Sequence, residues 1–224
     1  MSIANWPELQ RPREKLIRFG AGTLSDAELL SVFLRVGIPG KSAVELGNDL
    51  LQRFGTLQNL VAAPLEQFVA IRGLGPAKFA QLKAVLEMTR RTLDEELRSG
   101  IRMNQRETVR DYLHLLIGSK PFETFVVMYL DVKMRLLQCE EMFRGGLYGT
   151  KVYPREVVRN ALKHNAAAAI LAHNHPSGDI HPSAADIDLT IQLKSTLAAV
   201  EVNLVDHFVI AGNASYSFSE HGLI

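Results

Sequence analysis

Between Leu24 and about Leu97, apolar residues recur at helical spacing and strand-like alternation is absent. Leu24-Ser25-Asp26-Ala27-Glu28 reads as a capped helix start, and Val44, Leu46, Leu50 and Leu51 mark the apolar positions of a helix over Ala43 to Phe54. Gly-containing breaks at Gly37-Ile38-Pro39-Gly40, Phe54-Gly55 and Gly73-Leu74-Gly75-Pro76 divide the region into short helices, and Pro76 suits the first turn of the helix that follows. The pattern predicts a small all-α domain over residues 1–97. Residues 94–107 are charged and polar with little apolar content, so a linker is expected at 98–107 and a second domain over 108–224.

In the second half the period changes. Thr124 to Asp131 and Arg135 to Phe143 are β-rich runs around the turn-like Val132-Lys133-Met134, which predicts a hairpin. Pro154 opens an amphipathic helix, and the apolar run AAAILAHNH reads as a strand. A second helix is expected from Ser183 to about Ala199, followed by the strand-like VNLVDHFVI. Strands alternating with helices predict an α/β domain, its apolar central strand covered on both faces and its site at the C-terminal strand edge.

Composition changes this picture little. The chain has 224 residues, 47% hydrophobic and 22% charged, which is ordinary for a globular protein and excludes collagen, coiled-coil and disordered classes. Its apolar runs are far shorter than the roughly 20 residues of a membrane helix. The N-terminal MSIANWPELQRPREK has no apolar signal region, so a cytoplasmic location with no membrane partner is expected. Lys and Arg outnumber Asp and Glu 15 to 11 over residues 1–106 and are outnumbered 10 to 13 beyond, so a mildly basic half precedes a mildly acidic one. Cys139 is the single cysteine, which excludes an internal disulfide and any zinc site built on two thiolates. A metal would have to be held by His and carboxylate.

Residues 171–186, LAHNHPSGDIHPSAAD, carry that chemistry. His173 and His175 alternate at a strand end, so both imidazoles project to one face. Pro176-Ser177-Gly178 turns the chain, and Asp186 opens the next helix, where it can return as a third ligand. Three protein ligands and one open position form the catalytic rather than the structural pattern of zinc. Ser183 and Asp186 also have the spacing of a capping box with Asp in place of Glu.

His173-x-His175, seven residues, Ser183, two residues and Asp186 together match the JAMM motif of the JAB/MPN metalloprotease family, which this segment resembles without mismatch. Val152-Tyr153-Pro154-Arg155-Glu156, AHNHPSGD and Val205-Asp206-His207 are similar to the bacterial RadC-like, UPF0758 branch. So are Pro12-Arg13-Glu14-Lys15, LSDAELL and IRGLGPAKFAQLKA in the first half. The resemblance covers nearly the whole chain and implies a cytidine-deaminase-like α/β fold, one zinc ion per chain, and peptidase or isopeptidase activity on a peptide or protein substrate. It also implies a general base from a Glu on the first strand of the domain, for which Glu123 matches best and Glu140, Glu141 and Glu156 are the alternatives. Zinc with the Ser183 hydroxyl would then stabilise the oxyanion.

Neighbouring metal families fail on missing residues: H-E-x-x-H is absent, and one cysteine cannot supply the P-C-x-x-C of nucleobase deaminases. Asp206 and His207 are read as structural or as supports of the ligands. His114, His164, His181 and His221 are read as solvated or capping.

Gly73-Leu74-Gly75-Pro76-Ala77-Lys78, within residues 64–90, resembles a helix-hairpin-helix, whose glycines and helix N-terminal amides contact phosphate without reading sequence. Gly73, Gly75, Lys78 and Lys83, with Arg72, are the candidate contacts to non-specific DNA. FLRVGIPGKSAVEL has a similar layout, with Lys41 in the place of Lys78. The alternative to an enzyme is a DNA-associated protein whose second domain is catalytically silent.

Overall fold

The computed structural model describes residues 3–99, 106–145 and 152–224. The chain forms two compact units, Met1–Val85 and Leu86–Ile224.

The first unit is helical: α1 (Pro12–Phe19), α2 (Asp26–Leu34), α3 (Ala43–Phe54), α4 (Leu57–Ala62), α5 (Leu65–Val69) and the start of α6 (Pro76–Ser99). Local chemistry sets the helix starts. Ser25 and Ser42 each build a full capping box, their hydroxyls accepting from the Glu28 and Glu45 amides while those carboxylates accept from the serine amides at 2.8 and 2.7 Å. Leu30, Leu34, Leu46, Leu50, Leu60, Phe68 and Leu74 close into one core, with Phe79 of α6 edge-on to Phe68. Gly73, at φ +90°, lies so close to Ile38 that an added Cβ would stand 2.4 Å from its Cγ2, so the two Gly-rich turns meet there.

The units divide inside α6, at Val85/Leu86, and not after Leu97 as expected. Residues 94–99 continue the helix because Leu93 and Leu97 pack into the core of the second unit, leaving the charged side chains of the run off that contact. Arg106 and Glu107 already belong to the next helix. The rest of the expected linker, residues 100–105, lies outside the described residues.

In the second unit α7 (Arg106–Ile117) precedes β1 (Thr124–Leu130), β2 (Leu136–Arg144), α8 (Pro154–Lys163), β3 (Ala168–Asn174), α9 (Ala184–Ala198), β4 (Asn203–Ala211) and β5 (Ala214–Ser217). The strands form one mixed sheet in the order β2-β1-β3-β4-β5, with β3 parallel to β4 and the other neighbours antiparallel. The β1–β2 turn is tied by Asp131, whose Oδ1 accepts from the amides of Lys133 and Arg135.

Every residue of β1 and β3 is buried because helices cover both faces. Val126, Met128, Ile170, Ala172, Phe208 and Ile210 face Val109, Tyr112, Leu113 and Ile117 of α7. Phe125, Val127, Tyr129, Ala169 and Leu171 face Val157 and Ala161 of α8 and Leu193 and Leu197 of α9. This is the three-layer α/β arrangement anticipated from the alternation of strands and helices. No described helix is long and apolar enough to cross a membrane.

Candidate metal centre

The site lies where β3 ends. Residues alternate faces along a strand, so His173 and the following His175 share the face of Ala169 and Leu171, toward α9. The β1–β3 register ends at Phe125↔His173, and the Thr124 amide donates to Asn174 Oδ1 at 2.8 Å, so Glu123, the residue before β1, lies at the same end of the sheet as His175. Asn174 locks this corner further, its Nδ2 donating to the carbonyls of Lys120 and Phe122.

Gly178, at φ +86°, turns the chain, and α9 then starts at a complete cap. The Asp186 amide donates to Ser183 Oγ at 3.2 Å, and Asp186 Oδ2 accepts from the Ser183 amide at 2.7 Å and from its hydroxyl at 2.6 Å. The capping and ligating readings are therefore compatible, because the cap holds Oδ2 and leaves Oδ1 toward His173.

Three donors converge. His173 Nε2 lies 3.0 Å from His175 Nε2 and 3.3 Å from Asp186 Oδ1, and His175 Nε2 lies 3.6 Å from Asp186 Oδ2. Two donors of one tetrahedral zinc at about 2.0–2.1 Å stand about 3.3 Å apart, so the spacing fits a single small ion. Among the described residues, His173, His175 and Asp186 are the one cluster of three or more such side chains close enough to hold an ion together. The chemistry fits as well: His175 Nδ1 meets the Asp179 carbonyl at 2.7 Å, and a carbonyl only accepts, so the proton of the neutral ring sits on Nδ1 and Nε2 presents a lone pair.

Electrostatics follow the convergence. Burial pushes the Asp186 carboxyl up, but the imidazole edges of His173 and His175 and the Ser183 hydroxyl outweigh it and hold the group well below the usual carboxylate range. Asp186 in turn raises the His175 imidazole against its partial burial, and the negative charge of Glu123 adds in the same direction.

The other glutamates weighed as the base lie elsewhere. Glu140 accepts from Asn160 Nδ2 at 2.6 Å and meets His164 Nε2 at 2.7 Å. Glu141 pairs with Lys120, and Glu156 with Arg159 in the first turn of α8. Of the remaining histidines, His114 meets the Gly212 carbonyl, His181 meets Asp179 and His221 stacks on Tyr216. Asp206 turns away from the site and accepts from Ser217, Ser219 and the His207 amide.

Sequence reasoning read His207 as structural or as a support of the ligands but did not say which ligand it backs, and it left out Thr190. His173 Nδ1 stands 2.9 Å from His207 Nε2, and His207 Nδ1 stands 2.7 Å from Thr190 Oγ1. These residues are far apart in the chain and meet only through the pairing of β3 with β4 and the packing of α9, so no local spacing announces them.

In the helical unit the candidate phosphate contacts are partly committed. Lys78 Nζ donates to the Gly73 carbonyl at 2.8 Å, closing the Gly-rich turn on itself. Lys83 Nζ donates to the Val61 carbonyl at 2.6 Å, and burial lowers its pKa. Gly75 has open space around its Cβ position, and Arg72 is exposed.

A helix-sandwiched mixed sheet with two histidines leaving its central strand and a carboxylate on the next helix defines a JAB-type domain. Residues 103–223 match the RadC-like JAB domain, and residues 3–80 match the UPF0758 N-terminal family. The chain is 59% identical to a UPF0758 protein of Janthinobacterium sp. (strain Marseille) over 222 residues, 99% of both chains. It is 58% identical over the full length of both chains to a UPF0758 protein of Nitrosomonas eutropha, and 56% identical over 99% of both chains to one of Chromobacterium violaceum. The chain belongs to the UPF0758 family of RadC-like JAB proteins. Members of the JAB family are often hydrolytic and can bind zinc.

Proposed function

We infer that the protein is a zinc-dependent hydrolase of peptide or isopeptide bonds, with His173, His175 and Asp186 holding one zinc ion. The observation that carries this reading is the convergence of His173 Nε2, His175 Nε2 and the Asp186 carboxylate at the strand edge, with Glu123 two residues before Phe125, the sheet partner of His173. When bound there, zinc supplies Lewis acidity, polarising a carbonyl and making water nucleophilic near neutral pH.

The chain's own residues do the rest. Glu123 takes the proton of the attacking water and returns it to the leaving amine, a task that needs a carboxylate within reach of both. Asp186, fixed by the cap, is the anionic ligand. Ser183 orients that carboxylate by donating its hydroxyl proton to Oδ2 at 2.6 Å, and as the donor assigned to the oxyanion it would have to turn that proton away from Oδ2.

In the helical unit, the turn at Gly73 supports a helix-hairpin-helix role on non-specific DNA only through backbone amides and Arg72, since Lys78 and Lys83 already bond to carbonyls. The site chemistry therefore carries the functional reading, and DNA contact is secondary to it.

The test is hydrolysis of a fluorogenic library of peptides and lysine isopeptides by zinc-loaded protein. Glu123→Gln should lower turnover about 10²- to 10⁴-fold with zinc still bound, the range for loss of a general base. Turnover unchanged in Glu123→Gln would remove Glu123 from its role, and cleavage persisting in Asp186→Ala would remove the metal site.

A further inference from the structure

We propose that Thr190 and His207 act together as a positioning pair that sets the tautomer of His173, holding its proton on Nδ1 so that Nε2 is bare and aimed at the other two donors. The argument is a count of protons along one chain of contacts. The Thr190 hydroxyl has a single proton. Its oxygen lies 2.6 Å from the Asp186 carbonyl and 2.7 Å from His207 Nδ1.

A carbonyl can only accept, so a contact that short requires the Thr190 proton to point to Asp186, the bond a helical threonine makes to the carbonyl four residues back. The lone pairs of Thr190 Oγ1 then face His207 Nδ1, and that nitrogen must donate. His207 is fully buried, stacked on Phe218 at 4.7 Å and edge-on to Phe125 at 5.8 Å. Among the described residues its ring nitrogens meet only Thr190 and His173. A ring so enclosed, with no carboxylate bonded to it, holds one proton. That proton is on Nδ1, which leaves Nε2 as an acceptor.

The 2.9 Å contact between His207 Nε2 and His173 Nδ1 must then carry the proton of His173. The hydrogen bonds run one way: His173 to His207, His207 to Thr190, and Thr190 to the Asp186 carbonyl. The chain begins on one member of the donor cluster and ends on the backbone of another, so it also ties the end of β3 to the first turns of α9 through β4. His175 has its own, separate acceptor in the Asp179 carbonyl. Both imidazoles are thus prepared in the same sense by different partners.

The proton on His173 Nδ1 is set by these contacts in the metal-free protein, whereas Nε2, 3.0 Å from His175 Nε2 and 3.3 Å from Asp186 Oδ1, can share a further proton with them until an ion takes its place. The consequence for metal binding rests on the zinc reading above. If Thr190 is replaced by Val, of nearly the same shape, His207 Nδ1 loses its only acceptor. The favourable response is for His207 to move its proton to Nε2, whereupon His173 Nδ1 becomes the acceptor and the His173 proton moves to Nε2, where a metal would bind.

The experiment reads both levels. Nitrogen-15 NMR of the histidine side chains in the metal-free wild-type protein should show His173 and His207 both protonated on Nδ1, and in Thr190→Val the His173 proton should appear on Nε2. Zinc affinity, measured by competition with a chelating indicator, should weaken about 10- to 100-fold in Thr190→Val, the range for losing a partner of a metal-bound histidine, and recover in Thr190→Ser, which keeps the hydroxyl. A wild-type His173 with no proton on Nδ1 overturns the proposal, and so does a folded Thr190→Val variant with unaltered tautomers and zinc affinity. The wild-type spectrum decides the case even where the variant does not fold. Wild-type protein that takes up no zinc yet shows both protons on Nδ1 upholds the proton chain and removes the metal reading instead.

Discussion

Asp206 and His207 are neighbours on β4, yet they face opposite ways and meet opposite chemistry. His207 backs the candidate ligand His173, while Asp206 binds the turn after β5 through Ser217 and Ser219. Burial raises the Asp206 carboxyl above its unfolded value of about 3.9, against the hydrogen bonds from Ser217, Ser219 and the His207 amide that lower it. A carboxyl raised on folding contributes stability that is fully present below about pH 4 and is lost as pH rises through its folded value. Asp206→Asn keeps an oxygen for the two amides and carries no charge. Thermal melts should therefore show the variant's Tm gaining on the wild type's between pH 4 and 7, and a difference constant with pH would contradict this assignment. At this scale the ligand cluster was legible because His173, His175, Ser183 and Asp186 lie within one short segment with fixed spacing. Glu123 needed the family's pattern, because it precedes a different strand and no local spacing ties it to the histidines. His207 was read as a possible support of the ligands, but its partners Thr190 and His173 had no sequence signal, since they arise from strands and a helix brought together by the fold.

Helices were most legible where their caps are local. Ser25 with Glu28 announced α2, and Pro154 announced α8, whereas α3 was read from its apolar spacing and its Ser42–Glu45 cap appears only in the structure. Helices α1 and α7 were not read from the sequence, and two further features escaped for physical reasons. Helix α6 runs two residues into the expected linker and already serves the second unit there, because charge dominates the run and only Leu93 and Leu97 betray the buried side. Strand β5, four residues long, takes its form from its pairing with β4 rather than from its own residues. The Gly73 turn belongs to this scale too. Its left-handed backbone and the nearness of Ile38 both exclude a side chain, so Gly73→Ala should destabilise the helical unit by more than about 1 kcal/mol. Denaturant unfolding followed by the fluorescence of Trp6, the single tryptophan, reads that unit directly. Adding Ile38→Ala should recover the steric share of the loss and leave the backbone share. An unaltered midpoint in Gly73→Ala would mean that the two turns do not meet as described.

For the molecule as a whole, the change from helical to strand periodicity was enough to separate a helical part from an α/β part, and the boundary shifted because one long helix serves both cores. The α/β unit buries a strand on both faces and ends it in two histidines beside a capped carboxylate, an arrangement whose donor geometry suits one tetrahedral ion. The central claim is that this edge binds zinc through His173, His175 and Asp186. Elemental analysis of protein purified without chelator or histidine tag, alongside Asp186→Ala, tests it most directly. The account predicts one zinc per chain in the wild type and loss of that zinc in the variant with the fold retained. No zinc in the wild type after zinc is supplied, or equal zinc in both proteins, would contradict it.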